Sequence, residues 1–343
     1  TDLVGPSSDF GSALVEYRGS AQVIAPSLFY GIVDRVSVGF VLPVFLSARV
    51  DLHQLQVGTG AIGYNPDFAN DMDRQSPVLS TSDPRALDGA DGVRRVLTDV
   101  FQYDPLSSWQ SRGLGDLQIL SRINVLSSTH LRAALQPGVE LPTGAPDSPN
   151  NLVDFGLGSG QVDVGFLALV DVVPVPWLRL NLRAGYTWQL ANEQTARVYD
   201  DPGFPLAPID PLPAQYGDWG QERTVVRDLG DAWQMGAMLR LRRGLYFGGG
   251  SFEYQGKGRD RYQSAEGVHD AMGLGTAYDV RVVGGHVGVD FVDAFLRGSA
   301  PLPISLEVTV SRATSEHESA NTTQVLTKAT LYFGSAESAK KKL

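Results

Sequence analysis

The feature that most constrains this chain is strict two-residue alternation held over unusually long stretches. Between 178 and 190 one set of alternate positions carries Leu178, Leu180, Leu182, Ala184, Tyr186, Trp188 and Leu190. The positions between them carry Arg179, Asn181, Arg183, Gly185, Thr187 and Gln189. A strand turns successive side chains to opposite faces, so this pattern puts the arginines on one face and the leucines on the other. A helix would spread the arginines around its circumference. The same sorting recurs at Leu131–Leu141, Trp233–Arg242, Tyr246–Gln255 and Ile304–Ser311. Strands of soluble sandwiches are usually near 5–6 residues and do not sustain such alternation. Strands that cross a bilayer at a tilt do.

The runs predict about twelve strands of membrane-crossing length, at 11–18, 21–32, 36–49, 114–125, 130–142, 161–173, 177–190, 230–243, 245–257, 278–292, 303–314 and 323–334. In 278–292 the parity slips near Gly284 and Gly285, which predicts a bulge. Short connections fall at Val33-Asp34-Arg35, Ser127-Ser128-Thr129, Pro174-Val175-Pro176, Arg243-Gly244 and Ser299–Pro303. Long polar ones fall at 50–113, 143–160, 191–229 and 258–277, with a further outer loop at Ser315–Asn321. Turns at one rim and loops at the other are the outer-membrane arrangement. The expected fold is therefore all-β: a single antiparallel transmembrane β-barrel over 1–335, with 50–113 and 191–229 as long extracellular or plug loops. An even strand count places both termini in the periplasm. Helical spacing of Leu87, Val93, Val96, Leu97, Val100 and Phe101 makes 85–103 the one place for a short helix.

Composition agrees with this reading. Hydrophobic residues make up 43% of the 343 and the mean hydropathy is −0.09, as expected when lipid-facing and interior-facing residues alternate. No apolar run is long enough for a helical span. The absence of cysteine excludes disulfides and thiolate metal sites. A net charge of −10 argues against nucleic acid as a partner. The start at Thr1 is what a mature chain that has lost its signal peptide would have.

No catalytic, cofactor or metal site is read from the sequence. His53, His130, His269, His286 and His317 are scattered, without a serine and an orienting acid in a recognisable motif. His286, between Asp279 and Asp290, reads as a hydrogen-bonded histidine in a polar interior or an exposed one at a kink. The glycines at 248–250 and 156–160 lack the strand–turn–helix context of a phosphate cradle. Asp67, Asp71 and Asp73, and Asp88 and Asp91, read as solvated loop charge. Parity instead nominates interior-facing residues: Arg122, Arg132, Glu140, Asp163, Arg179, Arg183, Arg240, Arg242, Glu253, Arg281 and Glu307, with Glu16, Asp171 and Lys328 beside them. Such charges either pair and close the interior or line a water-filled path.

Several segments carry a family resemblance. They are Tyr30-Gly31-Ile32-Val33-Asp34-Arg35-Val36-Ser37-Val38-Gly39 with Leu42-Pro43-Val44, then Gly113-Leu114-Gly115-Asp116-Leu117. Next come Pro137-Gly138-Val139-Glu140-Leu141-Pro142-Thr143-Gly144 and Leu157-Gly158-Ser159-Gly160-Gln161-Val162-Asp163, and last Asn181-Leu182-Arg183-Ala184-Gly185-Tyr186. In order and placement these resemble the outer-membrane barrels of the "meta-pathway of phenol degradation" or transporter-type family, distantly akin to the long-chain fatty-acid channel group. The resemblance covers about 30–190. It implies a barrel that passes hydrophobic or aromatic compounds. Such barrels often end on their last aromatic residue, whereas here Phe333 is followed by Gly334 to Leu343. Residues 336–343 read as a periplasmic tail or an added remnant.

The expected function is an outer-membrane channel for small, hydrophobic or aromatic molecules, not an enzyme. Its partners would be outer-membrane lipid and lipopolysaccharide and the permeating molecule. The alternative is a non-conducting barrel that anchors or partners an export or adhesion assembly.

Overall fold

A computed structural model describes residues 2–5, 8–57, 94, 97–98, 103–198, 222–315 and 322–332; before residue 58, side chains are described only from 16 to 53. The first strands are β1 (Asp2–Gly5), β2 (Ser8–Ile24), β3 (Ser27–Val33), β4 (Val36–Val41) and β5 (Val44–Val57). Then come β6 (Trp109–Leu114), β7 (Leu117–Ser127), β8 (Leu131–Leu141), β9 (Asp163–Val175) and β10 (Leu178–Gln189). Beyond them lie β11 (Asn192–Arg197), β12 (Glu222–Asp228), β13 (Ala232–Arg243), β14 (Tyr246–Lys257), β15 (Arg261–Ser264) and β16 (Gly267–Val268). The last are β17 (Tyr278–Asp290), β18 (Ile304–Ser315) and β19 (Thr322–Leu331).

Eleven strands form one antiparallel sheet in the order β3-β4-β7-β8-β9-β10-β13-β14-β17-β18-β19. Neighbours in sequence are neighbours in space, the up-and-down connectivity of membrane barrels. The sheet has two edges, β3 and β19, and no ladder joins them among the described residues. Both edge strands run toward the short-turn rim. The four-residue β1 is antiparallel to the opposite end of β2, with Asp2 facing Ser12 and Gly5 facing Ser8.

Two expectations are corrected. The runs 11–18 and 21–32 are one path, interrupted only at Ala25-Pro26, so the count in the main sheet is eleven. Gly19, between the two expected runs, sits inside continuous ladder, paired with Val50. Likewise no bulge occurs at Gly284 and Gly285, because β17 stays in unbroken register with β14 and β18. Irregularities fall elsewhere, between Asn124 and Leu126 in β7 and between Leu178 and Leu180 in β10.

Three adjacent strand paths break at one level, two of them at prolines. A proline lacks the N–H that a ladder needs. Pro26 separates β2 from β3 and Pro43 separates β4 from β5, while Gly115-Asp116 separates β6 from β7. Carbonyls bridge the break: Leu42 N–H donates to Pro26 O (3.1 Å) and Gly115 N–H to Pro43 O (2.8 Å). Beyond it β1, β2, β5 and β6 form a separate four-stranded sheet. At the same rim β11, β12, β15 and β16 form another. Ala196, Val198 and Val225 form its small core, packed by Tyr262 and Met272.

The expected loops are therefore shorter than drawn. Strand occupies both ends of 50–113 and of 191–229, and 258–277 carries β15, β16 and a 3-10 turn at Asp270–Gly273. The expected helix at 85–103 and the tail at 336–343 lie almost wholly outside the described residues. The connection between β17 and β18 is longer than a tight turn and contains a short helix, α1 (Val292–Leu296).

The main sheet has one apolar and one polar face. Exposure alternates residue by residue along β13 and β18. Leu182, Met235, Leu239, Phe252, Val283, Val287, Val308 and Val310 are exposed on the apolar face. So much exposed apolar surface exceeds what a monomer in water carries and matches a lipid boundary. Leu182→Arg, in mid-strand on this face, is expected to cost about 2–4 kcal/mol, whereas Gln136→Arg on the polar face should cost close to nothing. Reversible denaturant unfolding in lipid vesicles measures both.

Candidate functional site: the polar face of the sheet

Cross-strand register assembles the polar face. Arg179 stands opposite Arg240, and Arg183 opposite Gly236. Asn181 stands opposite Asp171, and Gln189 opposite Asp163. Arg132 faces Asp171, and Glu140 faces Asp163. Gly288 faces Glu307, which faces Lys328. Of the eleven residues nominated by parity, ten lie on this face. Arg281 does not. It pairs with Tyr254 and Thr314 and shares the face of Val283 and Val287. The cause is the missing bulge, since a one-residue slip inverts every side chain beyond it. Glu16 lies on β2, outside the main sheet, 3.7 Å from Arg18.

The charges are sorted along the strands. At the loop rim, carboxylates are held by amides: Gln118 Nε2 donates to Glu140 (2.7 Å), and Gln161 Nε2 and Gln189 Nε2 donate to Asp163 (2.9 and 3.3 Å). At mid-height Arg183 pairs with Glu253. Toward the short-turn rim Arg240 pairs with Glu307 (2.9 Å) and Arg242 with Asp293 (2.8 Å). Asp171 accepts from Asn181 Nδ2 (2.7 Å) instead of pairing with Arg132. Arg122, Arg132 and Arg179 make no ion pair among the described residues.

An apolar strip crosses the same face. Phe29 lies over Gly39, Leu120 over Gly138 and Leu167 over Gly185, where a methyl group would come within 3 Å of the larger side chain. Glycine is needed there because each large residue folds across its neighbouring strand. Leu169, opposite Arg183, continues the strip.

Three of the sequence motifs meet at Asp116. Its buried carboxylate accepts the backbone N–H groups of Gly144 (2.8 Å) and Ser159 (2.6 Å). Thr143 Oγ1 donates to Gly115 O (2.8 Å) and accepts from Leu117 N–H (2.9 Å). Gly158 packs against the carboxylate so closely that no side chain fits. Loop 142–162 is thus tied to the point where β6 gives way to β7. Asn150 ties its other side, accepting from Arg197 Nε (2.9 Å) and donating to Glu222 (2.8 Å). Arg197 also stacks on Tyr103 at 3.7 Å. The guanidinium of Arg227 donates to Ser159 O. Neither Asp116 nor Asn150 was nominated from the sequence; only the motif containing Asp116 signalled it.

One polar cluster at the loop rim also escaped the sequence reading. Ser264 Oγ lies 2.8 Å from His269 Nε2 and donates to Glu266, whose carboxylate also meets Arg223 (3.1 Å). The Ser264 hydroxyl hydrogen bond holds the Glu266 carboxyl below its usual range. In a nucleophilic triad the acid orients the histidine. Here Glu266 binds the serine itself, and all three residues close the β15–β16 hairpin.

No protein-family model matches the chain, and no curated protein matches it by sequence. Solved structures do. One is the COG4313 outer membrane channel from Pseudomonas putida F1, with a TM-score of 0.52 at 12% identity over 96% of this chain and 88% of that one. Another is OmpT, an in-vitro folded outer membrane protein of Vibrio cholerae, at 8% identity over 94% and 96% of the two chains. Its TM-score is 0.29. With the first likeness, the two-faced up-and-down sheet defines the class: an outer-membrane β-barrel fold. The narrower resemblance to the phenol-degradation family is not matched by a family model.

Asp116→Ala is expected to lower stability by about 2–4 kcal/mol, because two charge-assisted hydrogen bonds lose their acceptor. It should also open loop 142–162 to protease, and Asp116→Asn should retain part of both. Denaturant midpoints and cleavage rates check this.

Proposed function

We propose that the sheet closes into a barrel in the bacterial outer membrane and conducts small molecules through a water-filled interior lined by its polar face. Closure is what hydrocarbon requires of any spanning sheet, since free edges there would leave backbone groups unpartnered. On this reading the short turns face the periplasm.

The observation that carries the channel reading is the trio Arg122, Arg132 and Arg179. A sealed interior must pair its charges, because an unpaired buried cation costs several kcal/mol or more. Three guanidiniums that form no ion pair among the described residues are supported only if water reaches them, and a hydrated interior is a path. The likeness to an outer membrane channel adds to this. The strip of Phe29, Leu120, Leu167 and Leu169 supplies a wall on which a hydrophobic or aromatic solute can rest. Loop 142–162, anchored at Asp116 and Asn150, narrows the loop-rim entrance.

The purified chain should give discrete conductance steps in planar bilayers, with a preference for anions set by the unpaired arginines. Replacing Arg122 and Arg132 together by glutamate should shift selectivity toward cations. Liposomes should admit a small aromatic solute faster than a sugar of equal size. Absence of conductance, with intact folded barrels, would contradict the channel.

A further inference from the structure

Arg179 and Arg240 are directly opposed on adjoining strands. Like charges in that position repel and destabilise a sheet. Arg240 has compensation on two sides: Glu307 at 2.9 Å and the Phe247 ring, whose centroid lies 4.2 Å from the guanidinium carbon. Arg242, two residues along β13, is neutralised by Asp293. Arg179 has neither, so one positive charge in this group lacks a counterion among the described residues.

Arg179 opens onto a recess at the short-turn rim that also includes Pro176, Trp177, Arg240, Phe247 and Asp290. Its walls combine two properties. Trp177, half exposed on the turn, and the buried Phe247 are aromatic. Arg179 and the fixed Arg240 are cationic. Asp290 is the acid on the recess; its carboxylate accepts the Val292 N–H (2.9 Å) and is out of ion-pair range of Arg179. Tyr332 lies within electrostatic reach of Arg179, Arg240 and Asp290.

We propose that this recess is a binding site for an organic anion with an apolar body, such as an aromatic carboxylate, with Arg179 as the residue that takes the carboxylate and Trp177 the surface that takes the ring. A carboxylate there supplies the missing counterion and accepts charge-assisted hydrogen bonds from a guanidinium. Asp290 repels a carboxylate from its own side and so sets the ligand's orientation. The proposal rests on the channel reading for how the ligand arrives, and on the recess alone for how it binds.

The test is titration of benzoate into the refolded full chain in detergent micelles, followed by calorimetry, with conductance block in bilayers measured in parallel. Wild type should bind benzoate and bind benzyl alcohol, which has the ring without the charge, at least about 10-fold more weakly. Arg179→Gln should weaken benzoate about 10- to 100-fold while leaving the denaturant midpoint unchanged or raised, because removing one of two opposed cations relieves repulsion. Arg281→Gln, on the opposite face, should bind as wild type does. Equal binding of benzoate by wild type and Arg179→Gln, or of benzoate and benzyl alcohol by wild type, would overturn the site. A lower midpoint in Arg179→Gln would make Arg179 a structural residue and overturn it too. Binding in micelles without any conductance would leave the site standing and remove the channel.

Discussion

Hydrocarbon offers no partner to a backbone N–H or C=O, so a spanning strand must find every hydrogen bond in its neighbours. The rest of this structure follows from that. Eleven strands pair in sequence order with nearly continuous register, and where proline removes a donor at positions 26 and 43 the proline's own carbonyl still accepts. The ladder fixes which side chains share a face. Lipid then demands that one face be apolar, which leaves the polar residues to the other.

That second face is where the chain becomes specific. Its charges are arranged by height: amide-held carboxylates at the loop rim, an arginine–glutamate pair in the middle, and an excess of arginine toward the short turns. Large residues lean across strands where glycine makes room, as Phe29 does over Gly39. Both devices depend on register alone. The loop-rim cap does not; it depends on Asp116 and Asn150 pulling distant loop segments onto the strand ends.

How much of this was legible in the sequence depends on the range of the interaction. Alternation is local, so Arg179, Arg183, Arg240 and Arg242 were assigned to one face from their own strands. Two local rules misled. The gap at 19–20 between two alternating runs split a strand, and Gly284-Gly285 resembled a bulge and sent Arg281 to the wrong face. Glycine in this sheet serves close packing more often than bending. The Asp116 contacts span 28 and 43 residues, and no period in the sequence reports an interaction of that kind. That Arg179 forms no ion pair among the described residues was equally hidden, because it follows from which strands become neighbours.

In the proposed barrel, alternate residues of one strand face lipid and a water-filled interior. Nitroxide labels placed singly along Leu178–Gln189 in reconstituted vesicles test it most directly. Labels at 180, 182 and 184 should be relaxed by oxygen from the bilayer, while those at 179, 181 and 183 should be relaxed by a water-soluble nickel chelate. Equal response to both agents at every position, or an interior inaccessible to the chelate, would contradict it.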